Sequence, residues 1–168
     1  MKHITIRPII AVMKTIILYA SKYGATLEIA QRIAKKIGGV VIHDLKQGNI
    51  PDLAEFGCVI IGASVYAGMI RKEAKAFVSR NEEILLEKQL GLFLSGMGEN
   101  GEKEFFEKNF SQNILQGAKA TKLLGGIFDP GKANFIERLI MKVVTKQSGL
   151  VNSINDGKIE QFVEELKS

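Results

Sequence analysis

The sequence predicts an α/β fold in which helices cover both faces of a doubly wound parallel sheet. Short runs with almost no polar residue alternate along the chain with longer segments whose apolar residues recur at helical spacing. Strands that are buried on both faces carry such continuous apolar runs. Strands that alternate with helices are joined by right-handed crossovers, which makes the sheet parallel.

Three short strands are predicted in the first part of the chain. They cover residues 15–20, 40–42 and 58–63, and the first and third are apolar at nearly every position. A helix separates the first two strands, because apolar residues recur three or four positions apart at Leu27, Ala30, Ile33, Ala34 and Ile37. Gly38 and Gly39 end this helix, since glycine readily adopts the left-handed conformation found after helices.

The same alternation continues to the end of the chain. The predicted elements are a helix over residues 72–87, a strand over 90–94, a helix from residue 102, a strand over 120–124 and amphipathic helices over 133–146 and 156–167. No internal repeat, low-complexity tract or linker interrupts them. Residues 14–168 are therefore predicted to form one domain, large enough to bury a core without a metal or a disulfide.

Residues 1–13 are predicted to be an extension outside this domain, and Met13 stands where a native start would be expected. The extension superficially resembles a secretory signal, but cleavage after Ala20 would remove the first strand. No run reaches the roughly 18 apolar residues of a spanning helix. Cys58 is the single cysteine, which excludes an internal disulfide and a cysteine metal cluster. These observations predict a cytoplasmic protein without a metal site.

The net charge of +5 favours anionic partners such as phosphate, carboxylates or a lipid surface. A solvated lysine-rich surface is the alternative interpretation. Nucleic acid is not an expected partner, because no helix-turn-helix, zinc-finger or aromatic-plus-basic sheet motif accompanies the charge.

The candidate ligand site lies at the carboxyl ends of the strands, where open α/β sheets bind their ligands. Three strands end in loops of small residues, over residues 21–26, 64–68 and 95–101. These loops are expected to form a continuous rim at which backbone amides can approach a flat ligand.

The first of these loops has the composition of a phosphate site. It offers backbone N–H groups, the hydroxyls of Ser21 and Thr26 and the N-terminus of a helix. An ordinary tight turn with a helix cap is the alternative for Gly24 and Thr26. A dinucleotide is not predicted, because only Gly24 stands where the G-x-G-x-x-G pattern needs three glycines.

The three loops resemble those of the flavodoxin family, and the resemblance covers nearly all of residues 14–167. The chain has Ser21-Lys22-Tyr23-Gly24-Ala25-Thr26 after the first strand, Gly62-Ala63-Ser64-Val65-Tyr66-Ala67-Gly68 after the third and a glycine-rich loop after the fourth. The resemblance implies a five-stranded flavodoxin-like sheet of order 2-1-3-4-5 that binds flavin mononucleotide (FMN). The first loop would hold the phosphate, and the other two would flank the isoalloxazine ring. The implied cofactor-binding residues are Ser21, Lys22, Tyr23, Gly24, Ala25, Thr26, Ser64, Val65, Tyr66, Ala67, Gly68, Ser95, Gly96, Met97, Gly98 and Gly101.

The chain departs from the usual flavodoxin pattern in three respects. Tyr23 stands where the family often has a hydroxyl residue. Tyr66 is the single aromatic in the second loop, and residues 95–101 contain none, so Met97 or backbone would meet the second face of the ring. Electron-carrier flavodoxins are typically acidic, whereas this chain is basic.

Within the superfamily the chain looks closest to the menaquinone-dependent protoporphyrinogen oxidases. Two segments carry this similarity: the strand end Ile61-Gly62-Ala63-Ser64, and residues 135–142 in a late helix before Ser148-Gly149. The resemblance implies an FMN-dependent oxidoreductase of heme biosynthesis that takes electrons from a porphyrinogen and passes them to a quinone. The first alternative is a small electron carrier for a partner reductase. A flavin-free receiver domain is a poorer alternative, because Ala20-Ser21 stand where its acidic cluster would be.

The helix over residues 133–146 bears on the choice of partner. Its apolar residues alternate with Arg138, Lys142 and Lys146, and Lys132 precedes it. This pattern is compatible with peripheral contact with an anionic membrane, where a quinone could be reached. The alternative is that the apolar side packs on the sheet, as in an ordinary crossover helix.

Overall fold

The computed structural model describes residues 13–98, 100–145 and 149–168. The strands are β1 (Thr15–Ala20), β2 (Val41–Asp44), β3 (Cys58–Tyr66), β4 (Met69–Ile70), β5 (Gln89–Ser95), β6 (Ala118–Leu123), β7 (Ile127–Phe128) and β8 (Val151–Asn152). The α-helices are α1 (Ala25–Ile37), α2 (Lys72–Arg80), α3 (Glu82–Leu86), α4 (Glu102–Asn109), α5 (Gln112–Gly117), α6 (Phe135–Thr145) and α7 (Asp156–Lys167). Apart from Met13, the predicted N-terminal extension lies outside the described residues.

The main sheet confirms the predicted architecture. Its order is β2-β1-β3-β5-β6, with all neighbours parallel, and the short β4 adds an antiparallel pair to the end of β3. Without β4, this is the predicted order 2-1-3-4-5. The central strands are buried on both faces, which explains their continuous apolar sequences.

The core has two halves, one on each face of the sheet. Successive strand residues point to opposite faces, so Ile16 and Leu18 belong to one half and Ile17 to the other. Helices α2 to α5 cover the first face, and α1 and α7 cover the second. Phe93 fills the space beside Gly62, where a Cβ atom would lie 2.1 Å from its ring. A glycine in this central strand therefore makes room for the aromatic ring on its neighbour.

Two predicted elements differ from those observed. The single helix predicted over residues 72–87 is divided at Asn81, whose backbone is not helical and whose side-chain amide donates to the Phe77 carbonyl oxygen at 2.8 Å. Asparagine side chains favour such local hydrogen bonds over continuation of a helix, which explains the break at Asn81. The predicted fifth strand over residues 120–124 begins earlier, as β6, and the unpredicted α5 precedes it.

The last part of the chain contains a second sheet that the sequence did not predict. β7 pairs with β8 in antiparallel fashion, and α6 lies between them in sequence. The predicted helix end at Lys146 falls outside the described residues. Among the residues the structure describes, no helix is long and apolar enough to cross a membrane.

Candidate functional site

A cavity of about 700 Å³ opens at the carboxyl ends of β1, β3 and β5. Small-molecule sites typically measure roughly 300–1,000 Å³. The loops after these three strands form part of its wall, and Phe105 of α4 and the chain between β6 and the middle of α6 form the rest. The lining residues are Ser21, Lys22, Tyr23, Ala25, Ser64, Val65, Tyr66, Ala67, Gly68, Ser95, Gly96, Met97, Gly98, Asn100, Phe105, Gly126, Ile127, Phe128, Glu137, Ile140 and Met141.

The first loop is a tight turn that ends in the N-terminus of α1. The Gly24 N–H donates to Ser21 Oγ at 2.9 Å, and Gly24 has a φ of +96°, a conformation that strains any residue with a side chain. Lys46 Nζ donates to the Ser21 carbonyl oxygen at 2.6 Å. Because α1 begins at Ala25, its first N–H groups have no partner within the helix. A negatively charged group is favoured at such a position.

The second loop is a hairpin turn in which Tyr66 pairs with Met69. Ala67 has a φ of +49° and Gly68 a φ of +76°, so both central residues are left-handed, as tight hairpins require. Asn109 fixes this turn from α4. Its side-chain amide donates to the Gly68 carbonyl oxygen at 2.9 Å, and its Oδ1 accepts from the Ile70 N–H at 3.0 Å. Tyr66 is thus held at the cavity edge.

The third loop packs against the chain that follows β6. The Gly96 N–H donates to the Gly125 carbonyl oxygen at 3.0 Å. A Cβ atom on Gly126 would lie 3.2 Å from the Gly96 backbone, so a side chain there would push the loop outwards. Met97 Sδ accepts a hydrogen bond from Ser153 Oγ at 3.6 Å. The loop is therefore supported by residues far away in sequence.

A buried carboxylate connects α6 to the first loop. Glu137 is 3% exposed, and its carboxylate accepts hydrogen bonds from the Lys22 ammonium and the Tyr23 hydroxyl. It also accepts from the Asn134 N–H at 3.1 Å, while the Glu137 N–H donates to Asn134 Oδ1 at 2.8 Å. This reciprocal pair is a capping box that begins α6. Lys22 Nζ lies 4.4 Å from the centroid of the Tyr66 ring, so one ammonium contacts two loops and α6.

The comparisons with known proteins agree with this geometry. The model of the flavodoxin domain matches residues 16–153. The chain belongs to the flavodoxin domain family. No curated protein matches it. Among solved structures, a short-chain flavodoxin associated with a PDU bacterial microcompartment has a TM-score of 0.56 and 16% identity, over 92% of this chain and 97% of that one. The flavodoxin, WrbA-like protein from Agrobacterium tumefaciens has a TM-score of 0.54 and 16% identity, over 92% and 98% of the two chains. Flavodoxin 2 from Bacillus cereus has a TM-score of 0.51 and 24% identity, over 67% and 84%.

FMN is the cofactor expected of a flavodoxin, and the residues present fit it. The Ser64 hydroxyl is buried at the cavity wall and has no hydrogen-bond partner among the described residues. Buried hydroxyls are rarely left unpaired, so the Ser64 hydroxyl is available to a polar ligand atom. The small residues of the three loops let a flat ring system approach the backbone closely. The α1 N-terminus offers free N–H groups, which favour a negatively charged group such as a phosphate.

Most of the predicted cofactor residues surround this flavodoxin cavity. The exceptions are Gly24, Thr26 and Gly101, which do not line it. Gly24 and Gly101 shape the starts of α1 and α4 with positive φ values. Thr26 is fully buried, and its hydroxyl is 2.6 Å from the Oγ of Ser95, a residue that does line the cavity. A cofactor-binding role for Gly24, Thr26 and Gly101 stays a prediction, beside the structural alternative for Gly24 and Thr26.

Other lining residues were not predicted from the sequence. They are Asn100, Phe105, Gly126, Ile127, Phe128, Glu137, Ile140 and Met141. Most belong to the segment after β6, which has no recognised loop motif. The spacing of Asn134 and Glu137 is a signal in the sequence that could have predicted the start of α6, because a capping box marks a helix start. This signal does not predict that the Glu137 carboxylate contacts the first loop.

The described apolar side chains of α6 do not pack on the sheet. Phe135 is 70% exposed, Ile136 64% and Val143 79%, and Leu139 and Ile140 are about half exposed. The alternative that the apolar side packs on the sheet, as in an ordinary crossover helix, is therefore wrong for these side chains. Arg138 and Lys142 are exposed on the same helix. Single exposed apolar residues are common, but a contiguous group of this kind indicates an interaction surface.

Proposed function

We propose that this flavodoxin binds FMN in the cavity and acts as an oxidoreductase similar to the menaquinone-dependent protoporphyrinogen oxidases. The observation that carries the proposal is the small-residue cavity at the strand ends, with the unpaired Ser64 hydroxyl in its wall and the α1 N-terminus at one side. When bound, FMN would supply the redox chemistry. The protein would bind, orient and shield it.

The residues that would hold FMN divide into two groups. Ser21 and the first N–H groups of α1 would receive the phosphate, because a negatively charged group is favoured at a helix N-terminus. Tyr66 and Met97, from the second and third loops, would contact the ring, with Ser64 as a hydrogen-bond partner. Aromatic contact of this kind contributes roughly 0.5–1.5 kcal/mol beyond area burial.

The α6 surface supports an electron acceptor that is dissolved in the membrane. Ile140 and Met141 line the cavity, and the exposed residues of the same helix face outwards beside it. An amphipathic helix with basic residues binds anionic lipid surfaces through apolar burial and charge together. Contact through α6 would bring a quinone close to the FMN site. A porphyrinogen, whose carboxylates are anionic, would be attracted to Arg138 and Lys142 at the same surface.

A small electron carrier for a partner reductase is the second candidate. Its supporting observation is that the main sheet has the flavodoxin-like order β2-β1-β3-β5-β6 and that the cavity opens at the ends of its central strands. The two candidates differ in electron stoichiometry, because a carrier exchanges single electrons with its partner and an oxidase accepts electron pairs from its substrate.

The first test is cofactor binding. Purified protein mixed with FMN should quench the flavin fluorescence at one flavin per chain, and Ser64→Ala should bind more weakly because one hydrogen bond is lost. A colourless protein that leaves FMN fluorescence unchanged would contradict the proposal.

The second test separates the enzyme from the carrier. The FMN-loaded protein is mixed with protoporphyrinogen and a menaquinone analogue, and the appearance of porphyrin fluorescence is followed against a flavin-free control. Fluorescence above the control is expected for the enzyme. Equal fluorescence in both samples, together with reductive titration in single-electron steps, would favour the carrier.

The third test concerns the membrane. Flotation with vesicles of phosphatidylglycerol should recover the protein, and the double variant Phe135→Ser and Ile136→Ser should lose this binding. Val41→Ser is the control, because Val41 is 43% exposed on the edge strand β2 and does not line the cavity. Equal flotation of both variants would contradict a role for α6.

A further inference from the structure

The charged side chains that line the cavity form one pair among the described residues, Lys22 and Glu137. The two members of the pair are not equivalent. The Glu137 side chain is 4% exposed, and donors from Lys22, Tyr23 and Asn134 surround its carboxylate. The Lys22 side chain is 29% exposed, and its ammonium also lies over the Tyr66 ring. The negative charge is thus enclosed by donors, while the positive charge extends to the predicted ring-binding side.

Glu137 holds Lys22 in this place. A lysine on a loop ordinarily extends into water, because its long side chain loses rotamer entropy when it is fixed. Here the buried carboxylate offers it an ion pair, and the Tyr66 ring, with its centroid 4.4 Å from Nζ, offers a cation–π contact. Both contacts direct the ammonium into the cavity. Glu137 is therefore a positioning residue for Lys22.

We propose that Lys22 sets the reduction potential of the bound flavin by stabilising its reduced form. The inference rests on FMN binding in the cavity, as proposed above. A bound FMN would supply hydride chemistry, and reduction by a hydride donor, which delivers two electrons and one proton, would leave the ring with one more negative charge. A cation beside the ring favours the charged form over the neutral one. A ring in contact with Tyr66 would lie within about one Debye length of the ammonium, roughly 10 Å at 0.1 M salt, so salt would screen their interaction only in part.

This role separates Lys22 from an ordinary phosphate ligand. The phosphate of FMN has the same charge in the oxidised and reduced cofactor, so a phosphate contact strengthens the binding of both forms equally. A ring contact strengthens the binding of the reduced form more. The ratio of the two dissociation constants determines the shift in potential, and a tenfold ratio corresponds to about 30 mV for a two-electron couple.

The experiment measures the two-electron midpoint potential of the FMN-loaded protein and the dissociation constants of oxidised and reduced FMN. Lys22→Gln is expected to lower the potential by at least the equivalent of a tenfold ratio. Lys22→Arg should stay close to the wild type, because it keeps the charge. Glu137→Gln should raise the potential, since it removes the compensating negative charge and keeps an acceptor for Lys22.

Lys46→Gln is the matched control. Lys46 contacts the same loop, through the Ser21 carbonyl oxygen, but it is exposed outside the cavity. The substitution Lys46→Gln changes the net charge of the protein by the same amount as Lys22→Gln. The inference is overturned if Lys22→Gln and Lys46→Gln have the same potential, or if Lys22→Gln weakens the binding of oxidised and reduced FMN equally. If the wild type fails to bind FMN, the proposed function falls, and this inference falls with it.

Discussion

The hydroxyl oxygens of Thr26 and Ser95 lie 2.6 Å apart in a fully buried contact between the start of α1 and the end of β5. Thr26 is 0% exposed and Ser95 2%. The two residues belong to the first and third loops of the site, which are far apart in sequence. Their hydrogen bond fixes the distance between these loops without using a ligand.

Thr26→Val is expected to lower the free energy of unfolding by about 1–3 kcal/mol, because Ser95 is left with an unpaired buried hydroxyl. Thr26→Ser is the control that keeps the hydroxyl. Urea denaturation of Thr26→Val, Ser95→Ala and the double variant gives a double-mutant cycle. The double variant should lose less stability than the sum of the single ones. Additive losses would show that the two hydroxyls do not depend on each other.

Asn109→Asp is expected to loosen the second loop. The substitution keeps an acceptor for the Ile70 N–H but removes the donor to the Gly68 and Phe105 carbonyl oxygens, which lie at 2.9 and 2.7 Å. A loss of about 1–3 kcal/mol is expected because these buried acceptors lose their partner. Hydrogen exchange at the Ile70 amide should become faster. Asn81→Asp is the control, because it removes one side-chain hydrogen bond, to the Phe77 carbonyl oxygen, at the end of α2 and away from the cavity. Equal exchange at Ile70 in both variants would contradict this role.

Substitutions at the two central residues of the hairpin should have opposite effects. Ala67 has a φ of +49°, so Ala67→Gly relieves a left-handed strain and should raise stability by up to about 1 kcal/mol, after the greater freedom of glycine in the unfolded chain is subtracted. Gly68 has a φ of +76°, and Gly68→Ala should cost about 1–2 kcal/mol. Thermal unfolding of both variants measures the difference. The same sign for both would mean that the turn adopts another conformation in solution.

The main sheet could be predicted from the sequence because its signals are local. The apolar runs at residues 15–20 and 58–63 and the helical spacing between Leu27 and Ile37 arise from burial on both faces and from α-helical geometry. The three loops could be located for the same reason, since small residues directly follow the strands. The predicted order of the strands in the sheet came from the family resemblance.

The far wall of the site could not be predicted, because it depends on contacts between distant residues. Glu137 contacts Lys22 and Tyr23 more than a hundred positions away, and no local pattern marks such a pairing. The amphipathic pattern of α6 is the same whether its apolar side faces the sheet or water. Asn81 broke a predicted helix through a single side-chain bond, which a spacing argument does not include.

Cys58 predicts how stability depends on alkaline pH. The thiol is 4% exposed at the start of β3, and burial raises its pKa, although a hydrogen bond with Thr15 acts in the opposite direction. In the unfolded chain the thiol ionises at about pH 8.5. Between that pH and the higher folded-state pKa, the unfolded state holds fewer protons than the folded state. This contribution to stability is therefore full below about pH 8.5 and falls by up to about 1.4 kcal/mol per pH unit above it.

Urea denaturation of the wild type and Cys58→Ala at pH 7, 9 and 10 measures the effect, and the other titrating groups cancel in the difference between the two proteins. The advantage of the wild type should shrink as the pH rises, and a difference that stays constant would mean that the folded thiol ionises like an exposed one.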